Sequence, residues 1–333
     1  MKFKKTAILG AGNWGTALAV LWAKNGRDVL LWARNPALAD QLKKHRENRE
    51  YLPGIELPAS LNVTSDLQSC ADADLLVLVV PSIASHTTVD SLRAIGVNHQ
   101  AALLSCTKGI EHGTGNRISQ ILQNIFPENP VAVLSGPNLA VEVVGDMPTA
   151  TVLACAKIEC AAELQGHLGS ARFRIYTTND VTGVELGGAL KNIFAIAAGV
   201  CDGFGLGDNT KAALLTRSLA EMVRLGTAMG GQVSTFYGLS GAGDLIATCY
   251  SRHSRNRHVG EQLGRGESLK QVTASMQMVA EGIPTTRSAY ECARKLQIET
   301  PIIDQIHAVL YEDKPVTQAM EELLGRDQKA EHV

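Results

Sequence analysis

The chain has 333 residues, 45% of them hydrophobic and 19% charged, with 31 basic against 33 acidic side chains for a formal net charge of −2. At roughly 100–200 residues per domain, that length predicts two domains, each able to bury its own core. High apolar content with low net charge excludes global disorder, and no general basic field exists to hold nucleic acid or an anionic membrane surface.

The start, MKFKKTAILGAG, imitates a secretory leader, but the apolar run ends at Leu9 and glycine, Asn13 and Trp14 follow. Strands are predicted over residues 6–9, 29–33, 75–80, 101–106, 131–135 and 149–154, with 173–176 as the last. Several are unbroken aliphatic runs, as expected of a parallel sheet covered on both faces. Helical stretches at 14–25, 116–125 and 158–168 alternate with them. From residue 181 onward the patterns are helical, broken at glycine-rich turns. The fold class predicted is therefore α/β: a Rossmann-type doubly wound parallel sheet over residues 1–180, then an all-helical domain over 181–333. The longest aliphatic run, 75–80, is far short of the roughly 20 residues of a membrane helix. The seven cysteines are scattered without a Cys-x-x-Cys pair, which argues against a disulfide framework or zinc cluster and for a reducing, cytoplasmic compartment.

Gly10-Ala11-Gly12-Asn13-Trp14-Gly15 fits the dinucleotide fingerprint G-x-G-x-x-G, between a predicted strand and a predicted helix. Gly10 would allow the tight turn, Gly12 the approach of a pyrophosphate, and Gly15 the packing of helix on strand. The free N–H groups of the helix start would hold the anion. The second strand ends Trp32-Ala33-Arg34-Asn35, with no carboxylate to hold a ribose 2′-OH. Arg34 offers a cation for a 2′-phosphate, so NADP(H) is expected to be preferred and NAD(H) accepted. The bland alternative for Arg34 is a solvated surface arginine.

Further segments are GAGNWG at 10–15, KGIE at 108–111, SGPNLAVEV at 135–143, GGALKNIFAIAAG around Lys191, GAGDLIATCYSRHSRN at 241–256 and VAEG at 279–282. In this order, over about residues 5 to 325, the set resembles the bacterial type of NAD(P)-dependent sn-glycerol-3-phosphate dehydrogenase. The resemblance implies reversible reduction of dihydroxyacetone phosphate to sn-glycerol 3-phosphate for phospholipid synthesis, and a homodimer. By the same resemblance Lys191, Asp244 and Lys108 are catalytic. Gly136, Asn138, Ser254, Arg255 and Asn256 join them on the substrate. Asn13, Trp14, Lys108, Ala140, Arg255, Val279 and Glu281 contact the cofactor. Asn138-Leu139 departs from the pattern, where a small hydroxyl residue and an aromatic are expected.

The residue chemistry is compatible. Lys191 stands in an apolar helical stretch, where burying an ammonium is costly. Desolvation and a neighbouring cation would lower its pKa toward the working pH, letting it exchange a proton with the substrate oxygen at C2. Gly187 and Gly188, one turn earlier, would clear space for a ligand. The alternative is a snorkelling lysine. Asp244 reads as a partner of Lys191 or as a helix N-cap, and its effect on the lysine opposes desolvation. Lys108, past a strand end, either polarises the ketone or is an ordinary exposed lysine. Ser254, Arg255 and Asn256 could converge on one phosphate, with Arg255 giving a bidentate pair. Without the resemblance, Glu281 would read as a helix-start carboxylate.

Other chemistries fit poorly. Ala242 spoils a nucleophile elbow, and the histidines form no His-Glu-x-x-His pair, so no metal is expected. The basic run at 251–258 lacks interleaved aromatics for nucleic acid. The rivals are another dehydrogenase of similar build, acting on a β-hydroxyacid or sugar acid, and a non-enzymatic NADP(H) sensor.

Overall fold

The computed structural model describes residues 3–276, 278–328 and 330–331. The first half runs β1 (Lys5–Leu9), α1 (Asn13–Lys24), β2 (Asp28–Trp32), α2 (Pro36–His45), β3 (Glu47–Asn48), β4 (Leu52–Glu56), β5 (Asn62–Thr64) and β6 (Leu75–Leu78). It continues with α3 (Ser82–Ile95), β7 (Ala102–Ser105), α4 (Ile118–Ile125), β8 (Val131–Ser135), α5 (Ala140–Val144), β9 (Thr149–Cys155), α6 (Ile158–Leu168) and β10 (Phe173–Thr178). Helices follow: α7 (Val181–Gly203), α8 (Asp208–Ala228), α9 (Val233–Phe236), α10 (Asp244–Tyr250), α11 (Arg255–Gly264), α12 (Leu269–Ser275), α13 (Gly282–Leu296), α14 (Pro301–Tyr311) and α15 (Val316–Leu324).

The sheet order is β10-β9-β8-β7-β6-β1-β2-β5. The chain leaves β1 toward β2 and later returns to its other side with β6, so the topological switch point lies beside β1. From β5 to β8 all pairs are parallel. The last two strands depart from the expected parallel run: β9 is antiparallel to β8, and β10 follows β9. Side-chain alternation explains the aliphatic runs. Ile8 enters the core on one face of the sheet, while Ala7 and Leu9 enter the core on the other.

A second core surrounds α7, where Leu186, Leu190, Ile193 and Phe194 are fully buried. Helix α7 is long and apolar enough to span a membrane, yet 94% of its apolar window is buried within the protein. It is a core helix. Helix α11 lies directly on it, because Gly260 has no side chain: a Cβ there would come within 1.8 Å of the Ile196 carbonyl oxygen. The sheet and helices are also joined by buried polar contacts. Glu185 on α7 accepts from the Ser119 N–H at 2.8 Å and from Arg117 at 2.9 Å, both at the start of α4. That carboxylate answers the free N–H groups of a helix start with charge-assisted bonds.

Candidate active site

The glycine loop leaves β1 at the carboxyl edge of the sheet. Gly10 has φ +120°, and a Cβ there would lie 2.6 Å from the Val79 carbonyl oxygen. At Gly15 a Cβ would reach 1.9 Å from the Gly10 carbonyl oxygen, so helix and loop close on each other only through glycine. Gly12 differs: nothing lies within 4 Å of the position a Cβ would take. It precedes α1, whose start carries no side-chain cap. Tight turn, open middle and close packing thus fall on the three glycines as the fingerprint requires, and the residues fit a dinucleotide pyrophosphate.

The other residues carried to the cofactor are placed as follows. The Asn13 amide donates to the Tyr51 carbonyl at 2.9 Å. Trp14 is half-buried against the core, and Ala140 is buried at the start of α5. Arg34 follows β2, whose Trp32 carbonyl accepts from Gly10 N–H at 3.0 Å. It is exposed, with no hydrogen-bond or ion-pair partner among the described residues.

Past the ends of β7 and β8, Lys108 and Gly136 meet the helical half. Lys108 Nζ donates to the Gly136 carbonyl at 3.0 Å and to Asp244 Oδ2 at 2.5 Å. The other carboxylate oxygen, Oδ1, accepts from Lys191 Nζ at 2.9 Å. Lys191 also donates to Thr248 Oγ1 at 2.5 Å. Asp244 therefore bridges two ammonium groups from opposite halves, and does not cap α10. Asp244 and Lys191 side chains are 3% and 7% exposed, against 18% for Lys108. Burial pushes the Lys191 pKa down and Lys108 repels its proton; Asp244 opposes both, and the outcome is a fall to about 8. Burial would raise the Asp244 carboxyl, but the two lysines overcome it and hold it below its ordinary value.

Two expectations change here. Gly187 and Gly188 do not make room for a ligand. A Cβ on Gly187 would strike the Ser240 carbonyl at 2.7 Å, and one on Gly188 would strike Ser135 Oγ at 2.3 Å. Nor do the side chains of Ser254, Arg255 and Asn256 converge. Ser254 Oγ caps α11 by accepting from Arg257 N–H at 3.2 Å. Asn256 donates to Asn192 Oδ1 and accepts from Gly282 N–H, both at 2.8 Å, tying α7 to α13. Arg255 alone is exposed, donating to the Val279 carbonyl at 2.6 Å. The first-turn N–H groups of Arg255 and Asn256 beside it have no partner among the described residues.

Glu281 precedes α13, yet its carboxylate serves another helix. It accepts from Ser82 N–H at 3.0 Å and Ser82 Oγ at 2.5 Å, at the start of α3 across the two halves. Burial raises its pKa against the pull of those bonds. Asn138 has a fixed orientation. Thr151 Oγ1 donates to the Ser135 carbonyl, so it accepts from Asn138 Nδ2 at 2.9 Å. Asn138 Oδ1 is left buried without a partner among the described residues. Thr248, Ser82 and Asn192 escaped the sequence reading; only Thr248 had a signal, one helical turn after Asp244.

A lysine whose pKa burial lowers to about 8, bridged through Asp244 to the half that carries an open glycine loop, suits a nicotinamide-dependent dehydrogenase that moves a proton with each hydride. Residues 5–161 match the family described as NAD-dependent glycerol-3-phosphate dehydrogenase N-terminus, and residues 180–321 match its C-terminus counterpart. The chain belongs to this NAD-dependent glycerol-3-phosphate dehydrogenase family. It is 48% identical over 335 residues to glycerol-3-phosphate dehydrogenase [NAD(P)+] of Geobacter sp. (strain M21), covering 99% of each chain. The enzyme of that name from Chlorobium limicola is 46% identical, over 98% of each. The crystal structure of glycerol-3-phosphate dehydrogenase from Coxiella burnetii superposes with a TM-score of 0.94 at 38% identity, covering 97% of this chain and 99% of that one.

Proposed function

We propose that this chain reduces dihydroxyacetone phosphate reversibly to sn-glycerol 3-phosphate, with NADPH preferred over NADH, in the cytoplasm and as a homodimer. Residues 1–180 hold the dinucleotide and residues 181–333 supply the proton donor. The observation that carries the reading is the Lys108–Asp244–Lys191 bridge across the two halves. A nicotinamide held at the glycine loop would supply or accept the hydride. Of its three N–H donors, Lys191 commits two, to Asp244 and Thr248, and has one for the oxygen at C2. Lys108 likewise keeps one donor to stabilise charge developing on that oxygen. Arg255 and the first-turn N–H groups of α11 suit the substrate phosphate, while Asn138 Oδ1 accepts from a substrate hydroxyl.

The test is loss of NADPH absorbance with dihydroxyacetone phosphate and with unphosphorylated dihydroxyacetone. The first ketone should turn over and the second scarcely, because Arg255 and the α11 start would be left without an anion. Arg255→Ala should mainly raise the substrate KM. Equal rates on both ketones would refute the substrate.

Arg34 carries the cofactor preference. A guanidinium binds a 2′-phosphate bidentately, and a roughly tenfold preference corresponds to about 1.4 kcal/mol, reasonable for an exposed pair. Arg34→Ala should erode the NADPH advantage in kcat/KM and leave NADH nearly unchanged. A wild type that prefers NADH, or equal damage to both cofactors, would remove Arg34 from this role.

A further inference from the structure

The β3–β4 hairpin lies against the glycine loop and contributes one buried side chain to it. Asn48 is completely buried. Its Nδ2 donates to the Ala11 carbonyl at 2.9 Å and to Thr16 Oγ1 at 2.7 Å. Its Oδ1 accepts from Tyr51 N–H at 3.2 Å, inside the hairpin turn. Those bonds settle which end of the amide is which, because a carbonyl can only accept and a backbone N–H can only donate. Asn13 returns the connection by donating to the Tyr51 carbonyl. Hairpin and cradle are therefore laced by two asparagines, one from each side.

The consequence for the cradle follows from peptide geometry. In a planar trans peptide the carbonyl and the next N–H point in opposite directions. With the Ala11 carbonyl drawn to Asn48 in the interior, the Gly12 N–H must point the other way. Gly12 is the one fingerprint glycine with open space around it, and its N–H has no partner among the described residues. We infer that Asn48 is a positioning residue for the cofactor: it sets the Ala11–Gly12 peptide so that the Gly12 N–H faces the pyrophosphate. This rests on the cofactor reading given above. Because a pyrophosphate is common to both dinucleotides, Asn48 acts equally on NADPH and NADH, unlike Arg34.

The test uses the full chain and dissociation constants of NADH and NADPH, read by tryptophan or cofactor fluorescence. Asn48→Ala should weaken both cofactors about tenfold or more, with kcat at saturating cofactor within about threefold and the ketone KM unchanged. Asn48→Asp keeps the acceptor for Tyr51 N–H but sets a carboxylate against the Ala11 carbonyl. It should bind NADH at least as poorly as the alanine variant at pH 8. At pH 5.5 it should recover part of the loss, as a protonated carboxyl regains a donor for Ala11. NADH is the probe for that comparison because it lacks a 2′-phosphate that titrates in the same range. A purely structural asparagine would give no such pH-dependent recovery. Binding within twofold of wild type in either variant would overturn the inference, and so would parallel loss of kcat and both KM values. Should Asn48→Ala not fold, the aspartate variant decides alone. Wild type that binds neither dinucleotide would instead overturn the cofactor reading.

Discussion

Lys191→Ala lowers kcat by roughly 100- to 10,000-fold, the usual cost of removing a general acid–base, while the dissociation constants of both dinucleotides change little. The glycine cradle stands on the other half of the molecule, so proton transfer and the adjacent Asp244 and Thr248 contacts are what the substitution disturbs. The pH dependence makes the test sharper. Reduction needs the ammonium form of Lys191 and oxidation needs the amine. With the free-enzyme pKa lowered to about 8, kcat/KM for reduction should be level below pH 8 and fall above it. For oxidation it should rise up to pH 8 and then level off. Both inflections should vanish from the residual activity of the variant. In kcat the inflection should lie higher, because a bound phosphate dianion favours the charged lysine. A variant that keeps most of its turnover, or keeps the inflection near pH 8, would make Lys191 a structural lysine.

How much of this was legible in the sequence depends on what kind of signal each part leaves. The central strands were readable because both faces are buried, which writes aliphatic runs such as residues 75–78 directly into the chain. The reversal of β9 was not readable: its residues face the same burial whichever way the strand runs, so direction leaves no mark on composition. The hairpin of β3 and β4 is too short and polar to stand out, and with it Asn48 was missed. Lys191 was visible because a charge in an apolar helix is costly and needs a reason. Its bridge through Asp244 to Lys108 was not, since those last two lie 136 residues apart and meet only when the halves do. The net direction of the Lys191 shift needed that geometry as well, because burial and a carboxylate pull it opposite ways. Glycine pairs misled for a related reason. A missing side chain announces close approach, but Gly187 and Gly188 admit protein, and sequence alone does not say what approaches.

The carboxylate should prove as consequential as the lysine. Asp244→Asn removes the carboxylate that bonds the two ammonium groups of Lys191 and Lys108, one of them 7% and the other 18% exposed. An amide has one acceptor and one donor end, so it can serve one lysine while its NH2 confronts the other. Breaking a buried pair in this way costs about 3–5 kcal/mol when the remaining charge stays. The buried Lys191 escapes that penalty by losing its proton, since burial and Lys108 then act against it without the Asp244 carboxylate to oppose them. Its pKa should therefore fall below 8, not rise. At pH 8 the variant would hold Lys191 largely as the amine, in an altered position, and kcat/KM for ketone reduction should drop by about 100-fold or more. The inflections in both directions of the reaction should move to lower pH together, because forward and reverse constants are bound by one equilibrium. Thermal unfolding should show a loss of stability smaller than the full pair-breaking cost, for the same reason. Asp244→Asn with wild-type pH inflections would mean that the carboxylate does not govern Lys191 and only anchors the start of α10.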